Sequence, residues 1–127
     1  MFEIDDIDEL YALQKGLTEI RFKASDVDWA VQGSPILGRL HERILESIIA
    51  HHEASGEPRK AEEWRKWRRF ETREFEWASI RRYLRSIWSE LSPDEKRAAV
   101  VNQMRPFTCT ENDVSGLISE LDSEATA

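Results

Sequence analysis

Basic and aromatic side chains alternate in the middle of the chain, and they are the first residues that could do chemistry. Residues 62–70 read EEWRKWRRF, so cations lie between indole and phenyl rings. Cations neutralise phosphates and aromatic faces stack on bases, which is what a nucleic-acid surface needs. The pattern predicts a candidate basic patch, formed by Arg65, Lys66, Arg68, Arg69, Arg81, Arg82 and Arg85.

Three interpretations of the basic patch remain open. At helical spacing Trp64 and Trp67 face a core, while the arginines face water and can pair with acidic neighbours along the segment. These neighbours are Glu62, Glu63, Glu71, Glu74 and Glu76. The sequence pI of about 5.0 is well below the value typical of an independent nucleic-acid-binding domain. It favours a solvated or internally paired face, with a protein-binding surface and a nucleic-acid site as the alternatives.

Carboxylates are concentrated near the start of the chain. Four of them fall in the first turn of a predicted helix, where one or two would satisfy the helix dipole. Like charges at this density repel one another, so stability does not explain the surplus, whereas a basic partner would. The sequence predicts an acidic partner-binding surface made of Asp5, Asp6, Asp8, Glu9, Asp26 and Asp28.

Histidine spacing does not predict a metal site. His41 and His52 are eleven residues apart, about 16 Å along a helix, and the adjacent His51 and His52 should point about 100° apart. The chain contains neither HExxH nor a Glu-x-x-His pair. We therefore expect surface or helix-terminal histidines, no metal and no cofactor.

Nucleophilic catalysis has little support in the sequence. Cys109, the single cysteine, precedes a predicted helix start, where a thiol pKa can be lowered, but a lone cysteine is more often a core residue. No Gly-x-Ser-x-Gly elbow and no glycine-rich phosphate loop is present. We predict no catalytic residues.

Composition and charge place the chain in a broad class. It has 127 residues, 40% of them hydrophobic, and a net charge of −7. The charge is uneven: residues 1–31 carry −5, residues 57–85 carry +4 and residues 106–127 carry −5. One cysteine, an acidic start and no long apolar run predict a cytoplasmic protein without a membrane span.

Helix start and stop signals predict an all-α fold. Asp5 or Asp6 can cap a first helix, and a second is predicted from Ser25 through Val27 to Gly33. Ser34-Pro35 starts a helix that ends near Ser55–Pro58, with Ile36 and Leu40 in its apolar stripe. Residues 59–91 read as helix with a break near 70–73. Further helices start at Ser92-Pro93 and Thr110.

These signals predict one compact, irregular bundle of six or seven helices over residues 1–127, with a frayed tail at 123–127. Trp64, Trp77 and Trp88 should be buried. Phe75 and Ala78 should lie on the same track as Trp64 and Trp67.

The functional expectation is a non-enzymatic, acidic protein that binds and inhibits a basic protein partner. A bacterial toxin or a nucleic-acid enzyme fits that description, which makes this chain an immunity protein or nuclease inhibitor. The first alternative is a nucleic-acid-associated regulator that uses residues 59–85. The second is a small enzyme or ligand-binding domain with a dispersed site.

Overall fold

A computed structural model describes residues 2–24 and 28–126, which form an all-α bundle. A π-helical segment, Glu19–Lys23, continues the first helix, and two short 3₁₀ segments, Phe70–Thr72 and Trp88–Glu90, flank the fifth. The predicted all-α fold of six or seven helices is confirmed. The seven α-helices are α1 (Ile7–Thr18), α2 (Trp29–Gln32), α3 (Pro35–Ala54), α4 (Pro58–Trp67), α5 (Glu74–Ile87), α6 (Pro93–Met104) and α7 (Glu111–Thr126).

Side-chain caps determine where several helices begin. The Asp6 carboxylate accepts the backbone N–H groups of Asp8 and Glu9, at 2.9 and 3.0 Å. Ser34 caps α3, and Ser92 forms a reciprocal capping box with Glu95 at the start of α6. Each cap satisfies N–H groups that the first turn leaves without a helical partner. The predicted starts of α1, α3 and α6 are confirmed.

The second helix is shorter than its sequence signals predict. It begins at Trp29, with Asp28 as its N-cap, and ends at Gly33. Ser25 and Val27, where the sequence predicts the start, lie outside the described residues. The C-terminal helix, by contrast, extends to Thr126 through most of the segment predicted to fray.

The predicted break in residues 59–91 is confirmed, and its cause is a tertiary contact. The backbone N–H of Phe70 donates to Thr108 O at 3.2 Å, and that of Thr108 donates to Arg68 O at 2.7 Å. These bonds tie the α4–α5 connection to the chain after α6, and the Phe70 ring is buried there. The α-helical ladder stops here although no glycine or proline marks the position.

The apolar core has two clusters, and Trp67 packs against both. One cluster joins α5, α6 and α7 around Trp88, and the other joins α1, α3 and α4 around Leu45 and Ile48. Trp88 is buried as predicted, whereas Trp64 and Trp77 are only half-buried.

Several apolar residues lie outside the core in which the sequence placed them. Ile36, Leu40 and Phe75 are exposed, at 68%, 39% and 62%, and Ala78 is exposed too. Helical spacing predicts an apolar stripe on each helix, but the neighbouring helices cover only part of that stripe.

A buried cation, Arg21, links the π-helical segment that continues α1 to the end of α6. The guanidinium of Arg21 is 1% exposed and donates to Arg105 O at 2.6 Å and to Asn102 O at 3.4 Å. Asn102 lies in the last turn of α6 and Arg105 is its C-cap residue, where helical partners run out and the dipole favours positive charge. Gly38 lets α3 approach this point, since a Cβ there would lie 3.1 Å from Asn102 O.

His41 completes this buried network and is not the surface or helix-terminal residue that the sequence predicts. Its ring is 0% exposed. Its Nδ1 accepts from Arg21 Nη1 at 3.0 Å, so Nε2 carries the proton and donates to Gln14 Oε1 at 2.5 Å. Burial, with the positive charge of Arg21, lowers the pKa of His41 to about 3. A neutral histidine therefore holds α1 against α3.

This network predicts a loss of stability in mild acid. An unfolded histidine binds a proton near pH 6.5 while folded His41 stays neutral, so the unfolded state gains protons first as the pH falls. We expect the free energy of unfolding to drop by about 2 kcal/mol between pH 7 and pH 5, measured by urea denaturation. His41→Gln should flatten this dependence, and the control His51→Gln should keep it. Equal slopes in all three proteins would contradict the assignment.

Trp88 provides a test of the larger core cluster. Its ring is 3% exposed and its Nε1–H donates to Asp122 Oδ1 at 2.9 Å. Trp88→Ala should cost about 3–5 kcal/mol of unfolding free energy. Trp29→Ala, at a ring that is 47% exposed, should cost about 1 kcal/mol or less. Similar denaturation midpoints for the two variants would show that the core is misplaced.

Candidate partner-binding surface

The start of the chain presents carboxylates from an anchored segment. Ile4 and Ile7 are half-buried and pack against the cluster that contains Ile48. The acidic residues before, between and after them (Glu3, Asp5, Asp6, Asp8 and Glu9) are exposed. We call residues 3–9 the acidic segment. Its isoleucines hold it on the bundle while its carboxylates face water.

The carboxylates of the acidic segment have no cationic partner within the described part of the chain. Neither lysine, arginine nor histidine comes within 4.0 Å of Asp5, Asp8 or Glu9 there. Asp6 is occupied as the α1 cap, which still leaves its charge exposed. Three of the six predicted acidic residues, Asp5, Asp8 and Glu9, are thus exposed without a described cation, and Asp6 lies among them as the helix cap.

The remaining two predicted acidic residues are not shown to join this segment. Asp28 is the N-cap of α2 and accepts from the backbone N–H of Ala30 at 2.7 Å. Its helix packs against the π-helical segment. Asp26 lies outside the described residues.

Exposed apolar side chains lie before the acidic segment, on α1 and on the π-helical segment that continues it. Leu13, one helical turn after Glu9, is 36% exposed, and Ile20, two turns further on, is 45% exposed. Phe2, just before the acidic segment, is 85% exposed. These side chains leave apolar area uncovered next to the acidic segment.

The basic patch is largely paired inside the molecule. Arg85 makes a bidentate contact with Glu124, at 2.6 and 2.7 Å, and Arg81 contacts Glu120 at 3.1 Å. Arg65 pairs with Glu53 and Glu62, Arg69 approaches Glu62 at 4.0 Å, and the Arg68 Nε–H donates to Pro106 O at 3.0 Å. Lys66 and Arg82 are exposed and, within the described residues, have no carboxylate within 4.0 Å.

Most of these partners are not the sequence neighbours that helical spacing suggested. Among the pairs described above, Glu62 is such a sequence neighbour. The other partner carboxylates are those of Glu53 in α3 and of Glu120 and Glu124 in α7. Glu46 and Glu53 also line the open groove of about 480 Å³ that borders Arg65, Arg68 and Arg69. Carboxylates here would repel a phosphate backbone.

The acidic C-terminal region therefore serves the fold. Arg85 lowers the pKa of Glu124 by hydrogen bonding to it, and Lys96 with Trp88 lowers that of Asp122 in the same way. A hydrogen bond from Arg97 lowers the pKa of Glu111. These charges are matched by cations of α5 and α6, whereas within the described residues Asp113 and the acidic segment of residues 3–9 have no cation within 4.0 Å.

Two further candidates from the sequence take unexpected forms. A ring nitrogen of His51, one of His52 and a carboxylate oxygen of Glu57 all lie within 4.8 Å of one another, although adjacent histidines were expected to diverge. Burial, followed by the charge of Asp113, raises the pKa of the Cys109 thiol. This is opposite to the shift that activates a nucleophile.

Within the described residues, no helix is both long and apolar enough to cross a membrane. Comparison of the chain with protein-family models, curated proteins and solved structures finds no match.

The internal pairing of the basic patch makes a prediction about nucleic acids. At about 150 mM salt we expect only non-specific binding of short DNA or RNA. Glu120→Gln with Glu124→Gln should release Arg81 and Arg85, tighten DNA binding at low salt and steepen its salt dependence by about two phosphate contacts. Fluorescence anisotropy across a salt series measures both effects.

Glu90→Gln with Asp94→Asn is the matched control, because it removes two exposed acidic charges elsewhere. The control should tighten DNA binding less than the first variant does, and it should leave the salt dependence of binding unchanged. Tight, salt-sensitive binding by the parent would instead favour the nucleic-acid interpretation.

Proposed function

We propose that this protein is a non-enzymatic binding protein whose acidic segment, residues 3–9, captures and neutralises a basic protein partner. The observation that carries the proposal is the contrast between the two acidic ends of the chain. Four of the five carboxylates of α7, namely those of Glu111, Glu120, Asp122 and Glu124, pair with arginines or a lysine, whereas Asp5, Asp8 and Glu9 are exposed with no described cation within 4.0 Å.

Long-range attraction gives these charges a role in association. Clustered like charges create a field that steers an oppositely charged partner and raises the association rate at low salt. Exposed Leu13 of α1 and Ile20 of the π-helical segment that continues it provide area that a docked partner can desolvate. Steering and apolar contact together give a fast and lasting complex.

The chemistry of the acidic segment also indicates the kind of partner. Exposed carboxylates in one short segment resemble the phosphates of a nucleic acid in the sign of their charge. A toxin or enzyme that acts on nucleic acids has a basic cleft for such phosphates. Occupying that cleft with carboxylates would exclude its substrate, so we infer an immunity or inhibitor role.

The test changes Asp5, Asp6 and Asp8 to Asn and Glu9 to Gln. Asn retains the capping ability of residue 6, so folding should be intact. The partner is first isolated by affinity capture from the native host, and association is then followed by surface plasmon resonance. We expect the variant to associate about 10-fold or more slowly at low salt, with the difference shrinking as the Debye length falls from about 30 to about 8 Å.

A control variant removes the same charge from other exposed carboxylates: Glu63→Gln, Glu74→Gln, Glu90→Gln and Asp94→Asn. It should associate at close to the parental rate, which separates a local surface from net charge. Any nuclease or toxic activity of the partner should be inhibited by the parent and less by the acidic-segment variant. Equal rates for the parent and both variants across salt would refute the proposal.

A further inference from the structure

The C-terminal end of α3 carries three metal-ligating groups from a short stretch of chain. The donor atoms of His51, His52 and Glu57 lie within 4.8 Å of one another. His52 is 3% exposed, while His51 and Glu57 are half-buried, so the cluster is anchored inside and reachable from outside. Two imidazoles and one carboxylate are ligands that suit first-row divalent metals such as Zn²⁺.

The loop after α3 brings the carboxylate back to the histidines. Glu57 N–H donates to His52 O at 2.8 Å, and Gly56, at φ 72°, makes the turn that allows it. Glu57 Oε1 then lies 3.1 Å from His52 Nδ1. The rings of His51 and His52 meet edge to face, with centroids 5.4 Å apart. The adjacent histidines thus converge at the helix terminus.

The buried side of His52 is held as a metal ligand requires. Its Nε2 is hydrogen-bonded to the hydroxyl of Tyr11, whose ring stacks on Trp64 at 5.6 Å. Ligating histidines generally use their second nitrogen in this way, which fixes the ring and its tautomer. Glu57 is held similarly, since Lys60 Nζ contacts its Oε2 at 3.0 Å and leaves Oε1 toward the ring.

Electrostatics at this point favour a cation. The C-terminus of a helix carries partial negative charge, and α3 ends at Ala54.

We propose that His51, His52 and Glu57 form a Zn²⁺ site, with water completing the coordination and Tyr11 positioning His52. Without metal, His52 Nδ1–H donates to Glu57 and the Tyr11 hydroxyl donates to Nε2. On binding, Nδ1 and Glu57 Oε1 ligate the ion, and the ring proton moves to Nε2, which donates to the Tyr11 oxygen. The ion ties residue 57 to the end of α3. This site uses none of the carboxylates of the acidic segment, so it does not rest on the proposed partner binding.

The experiment titrates Zn²⁺ into the full chain without a histidine tag by calorimetry at neutral pH. We expect saturable one-to-one binding at or below about 100 µM metal. His51→Ala and Glu57→Gln should each weaken binding by at least about 10-fold, and Tyr11→Phe by about 10- to 100-fold. Cobalt absorption should show nitrogen and oxygen ligands with no thiolate band.

Two controls keep the result interpretable. Glu53→Gln changes a carboxylate in the same last turn that pairs with Arg65, and it should bind Zn²⁺ like the parent. Cys109→Ser should also bind normally. Circular dichroism confirms that each variant is folded, and His51→Ala is expected to fold because its ring is only half-buried. Absence of binding by the parent, or parental affinity in both His51→Ala and Glu57→Gln, would overturn the site.

Discussion

The guanidinium of Arg21 lies where three parts of the chain meet, and the arrangement of the bundle depends on how its charge is accommodated. Within the described residues no carboxylate contacts it. Carbonyl groups at the end of α6 and the neutral ring of His41 accept hydrogen bonds from it instead. A buried cation is costly unless its donors are satisfied, and Arg21 Nε has no hydrogen-bond partner within the described residues. The bonds made by the two Nη atoms must therefore be kept, which holds these elements in one relative position. The network therefore gives α1, α3 and α6 a single register.

That register also decides how the charges of the molecule are distributed. With α6 and α7 packed together, Lys96 reaches Asp122 and Arg97 reaches Glu111, while Arg81 and Arg85 of α5 meet the last turns of α7. Exposed pairs of this kind contribute little stability each. Their larger effect is on the surface, because they cancel much of the basic patch and leave the acidic segment as a localised negative field.

The antiparallel packing of α1 on α3 connects the proposed surface to the proposed metal site. Tyr11 meets His52 near the end of α3, while Thr18 meets His41 nearer its start. The start of α1 therefore lies toward the end of α3 that carries the histidine cluster. Partner capture and metal binding would then draw on the same end of the helix pair, although each uses its own side chains.

The sequence by itself determined the helices and most of their ends, because caps at Asp6, Ser34 and Ser92 and the turn at Gly56 act within a few residues. It also located the acidic surplus of residues 5–9. Only the tertiary structure decided which charges remain free, since the partners of Arg81 and Arg85 are 39 residues away.

Burial of His41 was likewise beyond the sequence, because helical periodicity gives a residue's angular position and not what packs against it. The convergence of His51 and His52 depends on Tyr11 and on a return of the chain at Glu57. Long-range packing selects the rotamers there. Local sequence signals determine helices because the hydrogen bonds of a helix join residues close in sequence. A site is different, because only the folded bundle brings its side chains together.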